Sequence, residues 1–561
     1  MEGKIREFLV ENMDPKWIPD ITLAPIPKGK SGDIAMAFFI VAKKTGKSPN
    51  SIAKTVSEKI NSAPFLEKSE IVGPYLNLFI KPNDACIAAI ETPLENEEKK
   101  GKTIVVEYSS PNTNKPLHLG HMRNHALGIS FSRILETTGA KVVRTSVIND
   151  RGIHICKSML AYEKWGNGKT PENTGEKSDT FVGRFYVRFE TESKKNSALK
   201  EEAQTMLQQW EAGDDKIKAL WKQMNNWALQ GHEKTYKRQD VVFDKKYYES
   251  ETYTLGKKFA EKGLKDGIFY EKDGAVWLDL SAEKLDQKII IRSDGTTVYI
   301  TQDLATTFLR YEDFHFDEHI WVVADEQNYH FKVLITALQK LHLVSSEKLF
   351  HLAYGLVNLP DGRMKSREGN VVDADNLMDE LSQEASKKIK ENHPDWDEEK
   401  IKKTAEMVQD AAWKFFLLKP TPVKTMIFDA EKSIDFLGAT GPYVQYAIVR
   451  IKSLLEKAQE EKIDWKSQKN FSKAGKNEKV LAIKILEWPE VLRRSVNEKN
   501  PGFISTYVME LAQSWSKFYA ENQILKAPEE TKKIRLKIAE KTQEVLEKAL
   551  FLLGISVPEK M

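Results

Sequence analysis

The sequence predicts an α/β fold: a parallel-sheet core with an inserted subdomain, preceded by a small α/β domain and followed by an all-α helix bundle. Three observations predict it. A strand, a turn-rich loop, a long helix and a second strand follow one another over residues 103–148. Two further apolar strand segments, 319–324 and 350–357, come later with a helical stretch between them. After about residue 375 the pattern is helical almost to the end. Strand, helix, strand at this length implies a parallel pair with a right-handed crossover, so the core reads as Rossmann-type.

The N-terminal α/β domain covers residues 1–100. Ser51 to Ile60 reads as a helix with Ile52, Val56 and Ile60 on one face, and Ile71 to Ile80 as a strand pair or bent strand. Residues 95–102 are all polar or glycine and read as a linker. The core spans 101–375. Thr103–Tyr108 has the pattern of a buried strand, and Ser109–Pro116 is turn chemistry. A helix runs from about Gly120 to Thr138, Gly139 stops it, and Lys141–Ile148 is the second strand. From about Lys157 to Tyr248 the sequence is polar, helical and rich in Lys, Trp and Gln, which marks an insertion whose outer limit is about residue 290. Ala275–Leu280 and Ile289–Ile300 read as strands, with a tight turn at Asp294-Gly295. His319–Ala324 is a buried strand followed by a helix through Leu338, and Phe350–Val357 is another strand. Residues 376–561 read as the helix bundle.

Composition narrows the function classes. A chain of 561 residues is too long for one core, and three or four domains are expected. With 41% hydrophobic and 30% charged residues the composition is that of a soluble globular protein. No apolar run is long enough to span a bilayer, and the start lacks a signal-peptide core. Cys86 and Cys156 have no paired spacing, so neither a disulfide framework nor a protein-bound zinc is expected. A cytoplasmic protein without a membrane partner is the expectation. The net charge of +3 does not announce a nucleic-acid binder, but permits one if Lys and Arg cluster on one face.

Two segments carry candidate chemistry. His118-Leu119-Gly120-His121 stands at the start of the first crossover helix. A helix N-terminus offers unpaired N–H groups and a positive dipole end, a natural seat for phosphate. Gly120 lets a nucleotide approach the backbone, and the imidazoles of His118 and His121 can donate to phosphate oxygens as charge builds there. Taken alone the pair fits a capping or packing role equally well, and no further ligands accompany it for a metal. The second segment, residues 362–370, runs Gly-Arg-Met-Lys-Ser-Arg-Glu-Gly-Asn and follows the 350–357 strand. Lys365 and Arg367 there can stabilise charge on a leaving pyrophosphate.

Residues 109–124, Ser-Ser-Pro-Asn-Thr-Asn-Lys-Pro-Leu-His-Leu-Gly-His-Met-Arg-Asn, closely resemble the HIGH-signature segment of class I arginyl-tRNA synthetases of bacterial type. Leu119 stands in place of the usual isoleucine, a volume-conserving change. By position, residues 362–370 look like the KMSKS loop of that class, with Ser366 where the second lysine usually stands. In relatives with such loops a lysine just before the HIGH signature is thought to compensate, and Lys115 sits there. The resemblance assigns arginine binding to Glu107, Ser110 and Asn112 (a Glu-x-x-Ser-x-Asn element), to Tyr299 and Asp303 (Tyr-x-x-x-Asp), and to Gln327 of a Gln-x-x-His element. A guanidinium is a planar fork of donors and asks for carboxylates, which fits Glu107 and Asp303 without deciding between them. Asp325, at the end of the 319–324 strand, is a candidate for the ribose hydroxyls of ATP, with helix capping as the alternative. Asn149-Asp150-Arg151-Gly152 departs from the Gly-Asp-Trp-Gly of many relatives, so a different wall is expected at Arg151. Residues 73–80 resemble a strand of the family's tRNA-contacting N-terminal domain, and 438–447 the opening of its anticodon-binding domain.

The resemblance implies an arginine–tRNA ligase. Arginine and ATP would give arginyl-adenylate and pyrophosphate, and the 3′-terminal adenosine of tRNA(Arg) would then take the arginyl group. Mg²⁺ would arrive with ATP. A monomer is the default expectation. Two other readings remain open: a synthetase for a different amino acid, and a non-catalytic RNA-binding protein on a synthetase core.

Overall fold

A computed structural model describes residues 1–26, 29–358, 360, 372–436 and 438–561. The N-terminal unit holds helix α1 (Glu2–Asn12), strands β1 (Thr22–Pro25) and β2 (Ile34–Ala37), helices α2 (Phe39–Thr45) and α3 (Pro49–Ile60), strands β3 (Leu66–Val72) and β4 (Tyr75–Ile80), and helix α4 (Pro82–Ile90). Its antiparallel sheet has the order β1-β2-β4-β3. The α3 helix forms where the sequence predicts it, because Ser48 caps it, Pro49 opens it, and Ile52, Val56 and Ile60 share its buried face. The segment read as a strand pair is a hairpin, and Gly73 at φ +57° makes its turn.

The core begins with β5 (Thr103–Glu107), α5 (Leu119–Thr137) and β6 (Lys141–Ile148). Five helices follow: α6 (Ile153–Trp165), α7 (Pro171–Thr174), α8 (Ser178–Glu192), α9 (Ala198–Ala212) and α10 (Asp215–Gln239). Next come β7 (Lys245–Tyr248) and α11 (Glu249–Lys265), then a small antiparallel sheet of β8 (Phe269–Lys272), β9 (Ala275–Leu278) and β10 (Lys288–Ile291). The chain returns through α12 (Tyr299–Phe314), β11 (Glu318–Ala324), α13 (Asn328–Lys340) and β12 (Leu349–Tyr354). The main sheet is parallel throughout, in the order β12-β11-β5-β6-β7. From β5 the chain crosses to β6 on one side and reaches β11 on the other. The topological switch therefore lies between the carboxyl ends of β5 and β11, the place where open sheets of this kind bind ligands.

Two expectations need correction. Residues 245–248, read as the end of the insertion, are the edge strand β7 of the core sheet, paired in parallel with Thr145–Ile148. The insertion read as reaching about residue 290 is therefore interrupted by a core element. The strand read through to Ile300 ends at Ile291: a bridge joins Ile291 to Thr297, and Tyr299 and Ile300 begin helix α12. The β-branched run Thr296-Thr297-Val298 suggests a strand, but the Asp294 carboxylate folds it into a turn by accepting from the Thr296 N–H and hydroxyl.

Strands β13 (Val357–Asn358) and β14 (Met426–Ile427) pair in parallel beside helices α14 (Ala374–Asn392), α15 (Glu398–Leu418) and α16 (Ala430–Ser433). The last helices are α17 (Gly441–Glu460), α18 (Lys476–Leu486), α19 (Trp488–Asn497), α20 (Gly502–Glu521) and α21 (Glu529–Leu552). Helix α5 is buried on nearly every side, because it lies between the main sheet and this bundle. Arg133 on α5 donates to the Phe551 carbonyl at 2.8 Å, and Trp488 to the Leu94 carbonyl at 3.1 Å, tying the bundle to the core and to the chain between α4 and the linker. Among the described residues no helix is long and apolar enough to cross a membrane.

Candidate active site

The α5 N-terminus is built by its two histidines. His118 is the N-cap: its Nδ1 accepts from the Gly120 N–H at 3.1 Å, and the His118 N–H donates to Nδ1 of His121 at 3.2 Å. The rings lie 4.0 Å apart. Because each Nδ1 accepts, the proton of each neutral ring sits on Nε2. Desolvation, reinforced by neighbouring positive charge, pushes His118 down to about 3 and His121 well below the usual histidine range. Both therefore stay neutral near pH 7 and present an N–H donor. A Cβ on Gly120 would sit 3.0 Å from His118 Cε1, so glycine leaves the ring its capping position. Capping and donation, alternatives in the sequence, are two ends of the same rings.

At the end of β5 the backbone turns sharply. Ser109 and Ser110 both have positive φ, +70° and +47°, a conformation that costs of order 1 kcal/mol each outside glycine. Hydrogen bonds over-determine it. The Ser109 N–H donates to Asn124 Oδ1 at 2.5 Å, and its hydroxyl meets Tyr236 at 2.7 Å and His125 Nε2 at 2.8 Å. The Ser110 hydroxyl donates to Glu107 at 2.9 Å. Burial pushes the Glu107 carboxyl up, opposed by Arg310 and by the Ser110 hydroxyl. Its other oxygen faces Arg310 Nη2 at 2.8 Å, and both side chains are buried. Glu107 therefore has an internal cation already.

The other predicted residues divide into groups. Asn112 and Tyr299 line a cavity of about 500 Å³ with Arg151, Glu249 and residues of α9. Asp303, one turn into α12, accepts from His330 Nε2 at 2.6 Å. Asp325 and the exposed Gln327 lie in the turn after β11, at the switch point. Lys115 lies in the loop before α5, and its carbonyl accepts from His232 at 2.9 Å. Lys365 and Arg367 lie outside the described residues. No group of three His, Cys, Asp or Glu among the described residues is placed to hold a metal.

Comparison with known proteins draws these features together. The family model "tRNA synthetases class I (R), catalytic domain" matches residues 87–430, the arginyl tRNA synthetase N-terminal domain matches 2–80, and the DALR anticodon binding domain matches 444–561. The arginine–tRNA ligase of Treponema denticola is 44% identical over 97% of this chain and 96% of its own length. That of Parabacteroides distasonis is 39% identical over the whole of both chains. The solved Thermus thermophilus arginyl-tRNA synthetase superposes with a TM-score of 0.85 at 27% identity, covering 100% of this chain and 99% of that one. This chain belongs to the class I arginyl-tRNA synthetase family.

Within this arginyl-tRNA synthetase fold, the sequence reading missed two charged groups of the site. Arg310 is seven residues after Asp303 on α12, two helical turns along the same face, a spacing that could have placed it. Glu249 follows β7 and is 7% exposed. Burial, with Asp303 next, pushes its carboxyl up to about 8. Asp303 also raises Glu107, so three carboxylates lie within electrostatic reach of one another. Arg151, the departure noted in the sequence, is a cavity wall: it is ion-paired with Glu211 and stacked 4.1 Å from the Tyr253 ring.

Proposed function

We propose that this chain ligates arginine to tRNA(Arg) in the cytoplasm. The observation that carries the reading is the pair of neutral, Nε2-protonated histidines at the α5 N-terminus, and it is joined by a cavity lined by Asn112, Tyr299, Arg151 and the carboxylates Glu211, Glu249 and Asp294. The arginine carboxylate attacks the α-phosphate of ATP in line, and pyrophosphate leaves. His118 and His121 donate to the phosphate oxygens as charge develops, with the α5 dipole behind them. Lys115, Lys365 and Arg367 supply cationic stabilisation, and Mg²⁺ enters with ATP. Asp325 takes the ribose hydroxyls. The guanidinium is read by Asp303, Glu107 and Tyr299, and the α-amino and carboxyl end by Asn112 and Gln327, with Ser110 orienting Glu107. The tRNA's terminal 2′-hydroxyl then accepts the arginyl group, while the domain of residues 1–100 and the helices of 376–561 hold the rest of the tRNA.

No protein nucleophile is required, so catalysis rests on positioning and charge stabilisation. Lysine or citrulline would leave buried acceptors unpaired, a discrimination of several kcal/mol, about 10³-fold or more. The test is ATP–pyrophosphate exchange with and without tRNA. Exchange with arginine, absent with lysine or glutamine and stimulated by tRNA, is expected. No exchange in either condition, with tRNA binding intact, would overturn the enzymatic reading.

A further inference from the structure

The insertion holds both chain segments that frame the histidine pair. Residues 372–374 run antiparallel to 117–119: Leu119 N–H donates to the Val372 carbonyl at 3.1 Å, Ala374 N–H to the Leu117 carbonyl at 3.0 Å, and Asp373 faces His118 across the bridge. Asp373 then caps α14 through the N–H groups of Asp375 and Asn376. The next side chain, Asp375, is gripped from the insertion. Its Oδ2 accepts from Lys177 Nζ at 2.5 Å and from the Thr235 hydroxyl of α10 at 2.7 Å. Lys177 Nζ also reaches Asp179 of α8 at 2.9 Å and the Thr235 hydroxyl at 2.6 Å. Asp179 and Thr235 are fully buried. Burial works against the Lys177 ammonium, and the two carboxylates more than offset it, so its pKa is raised.

A second grip lies alongside. His232 of α10, fully buried, holds the Lys115 carbonyl. Gly183 of α8 admits Pro116, whose Cδ would lie 2.6 Å from an added Cβ. Helices α8 and α10 thus fix the segment entering the histidine signature, and through Asp375 the segment paired with it.

We propose that Lys177 is a positioning residue for adenylate formation. It acts through Asp375, which holds the segment 372–374 against 117–119 and so sets the His118 cap. Nothing about Lys177 requires contact with substrate. The proposal rests on His118 and His121 working at the phosphates.

The experiment compares wild type, Asp375→Ala and Asp375→Asn in arginine-dependent ATP–pyrophosphate exchange, with arginine affinity measured by titration calorimetry. Asp375→Ala leaves Lys177 paired with Asp179, so the insertion keeps its buried charge neutralised. The expected result for Asp375→Ala is a fall in kcat of about 10- to 100-fold, the scale of a small misplacement of catalytic groups, with arginine affinity unchanged. Asp375→Asn, whose carbonyl oxygen still accepts from Lys177 and Thr235, should recover most of the activity. An unchanged kcat in Asp375→Ala overturns the proposal, as does a loss of arginine affinity in step with kcat. All three are assayed with tRNA present: a wild type inactive under that condition overturns the functional reading and this proposal with it, whereas an active wild type isolates the proposal.

Discussion

A carboxylate buried as Glu249 is keeps its proton until about pH 8, and the unfolded chain releases it near the usual glutamate range. Between those limits the folded state holds a proton that the unfolded state has lost. Stability therefore falls as pH rises from about 4.5 towards 8, and the term is fully expressed above that. A glutamine has no such term. Glu249→Gln should thus be more stable than wild type without ligand, and the gap should widen between pH 5 and 8.5 in thermal melts. The same carboxyl must ionise to pair with a guanidinium. Glu107 and Asp303 face Arg310 and His330, whereas Glu249 lines the cavity with Tyr299 and its neighbouring cation, Arg151, is itself ion-paired with Glu211, so Glu249 joins Asp303 and Glu107 as a carboxylate for the bound guanidinium. The KM for arginine should therefore improve as pH rises through 8 in wild type. In Glu249→Gln it should be pH-independent and higher by on the order of 30-fold, roughly 2 kcal/mol for a lost buried charge pair. A variant with unchanged KM would remove Glu249 from arginine binding.

Among the elements, α5 joins the site to the core, and its fit on the sheet is tight at one point. A Cβ on Gly128 would lie 2.3 Å from Cγ of Tyr108, the residue after β5. The Tyr108 ring cannot move freely, because its hydroxyl donates to the Val242 carbonyl at 2.8 Å and Phe243 packs against it. Gly128→Ala should therefore cost about 1–3 kcal/mol of stability in urea unfolding, the range for overpacking. A neutral or stabilising alanine would mean that helix and sheet can part at no cost. This unit was also the most legible part of the sequence. The patterns of β5, α5 and β6 match their buried faces, and the HIGH-like string fell on the strand–loop–helix where its residues meet. Elements set by distant partners were not legible. Strand β7 is four residues long, begins with two lysines, and becomes a strand only because β6 offers it an edge. The start of α12 reads as a strand because the β-branched run Thr296-Thr297-Val298 carries the strand pattern past the Asp294-Gly295 turn, up to the helix start at Tyr299. Of the site, the motif residues were legible one by one. Their pairing with Arg310 and His330, and the burial of Glu249, depend on contacts across three elements.

At the scale of the whole molecule the catalytic core and the last helices share buried charge, so they should stand or fall together. Lys414 of α15 is fully buried between Asp410, 2.7 Å away, and the Gly554 carbonyl after α21, also at 2.7 Å. Gly554 has φ +76°, and an added Cβ there would lie 3.0 Å from Ile129 Cγ2 of α5. Three parts of the chain therefore converge on one ammonium: the helix bearing the histidines, the helix that follows the sheet, and the end of the bundle. Burial pushes Asp410 up to about 6 even with Lys414 beside it. Removing the lysine leaves that carboxylate without its cation and the Gly554 carbonyl without its donor. Lys414→Met should accordingly cost about 3–5 kcal/mol, and adding Asp410→Leu should recover much of it, since an apolar pair of similar volume needs no solvation. Because the damage lies where the parts meet, the melting transition should move as one, and arginine-dependent exchange should disappear at the same lowered temperature. Melting of the bundle at a lower temperature with exchange persisting above it would show that the bundle is an appendage to the core.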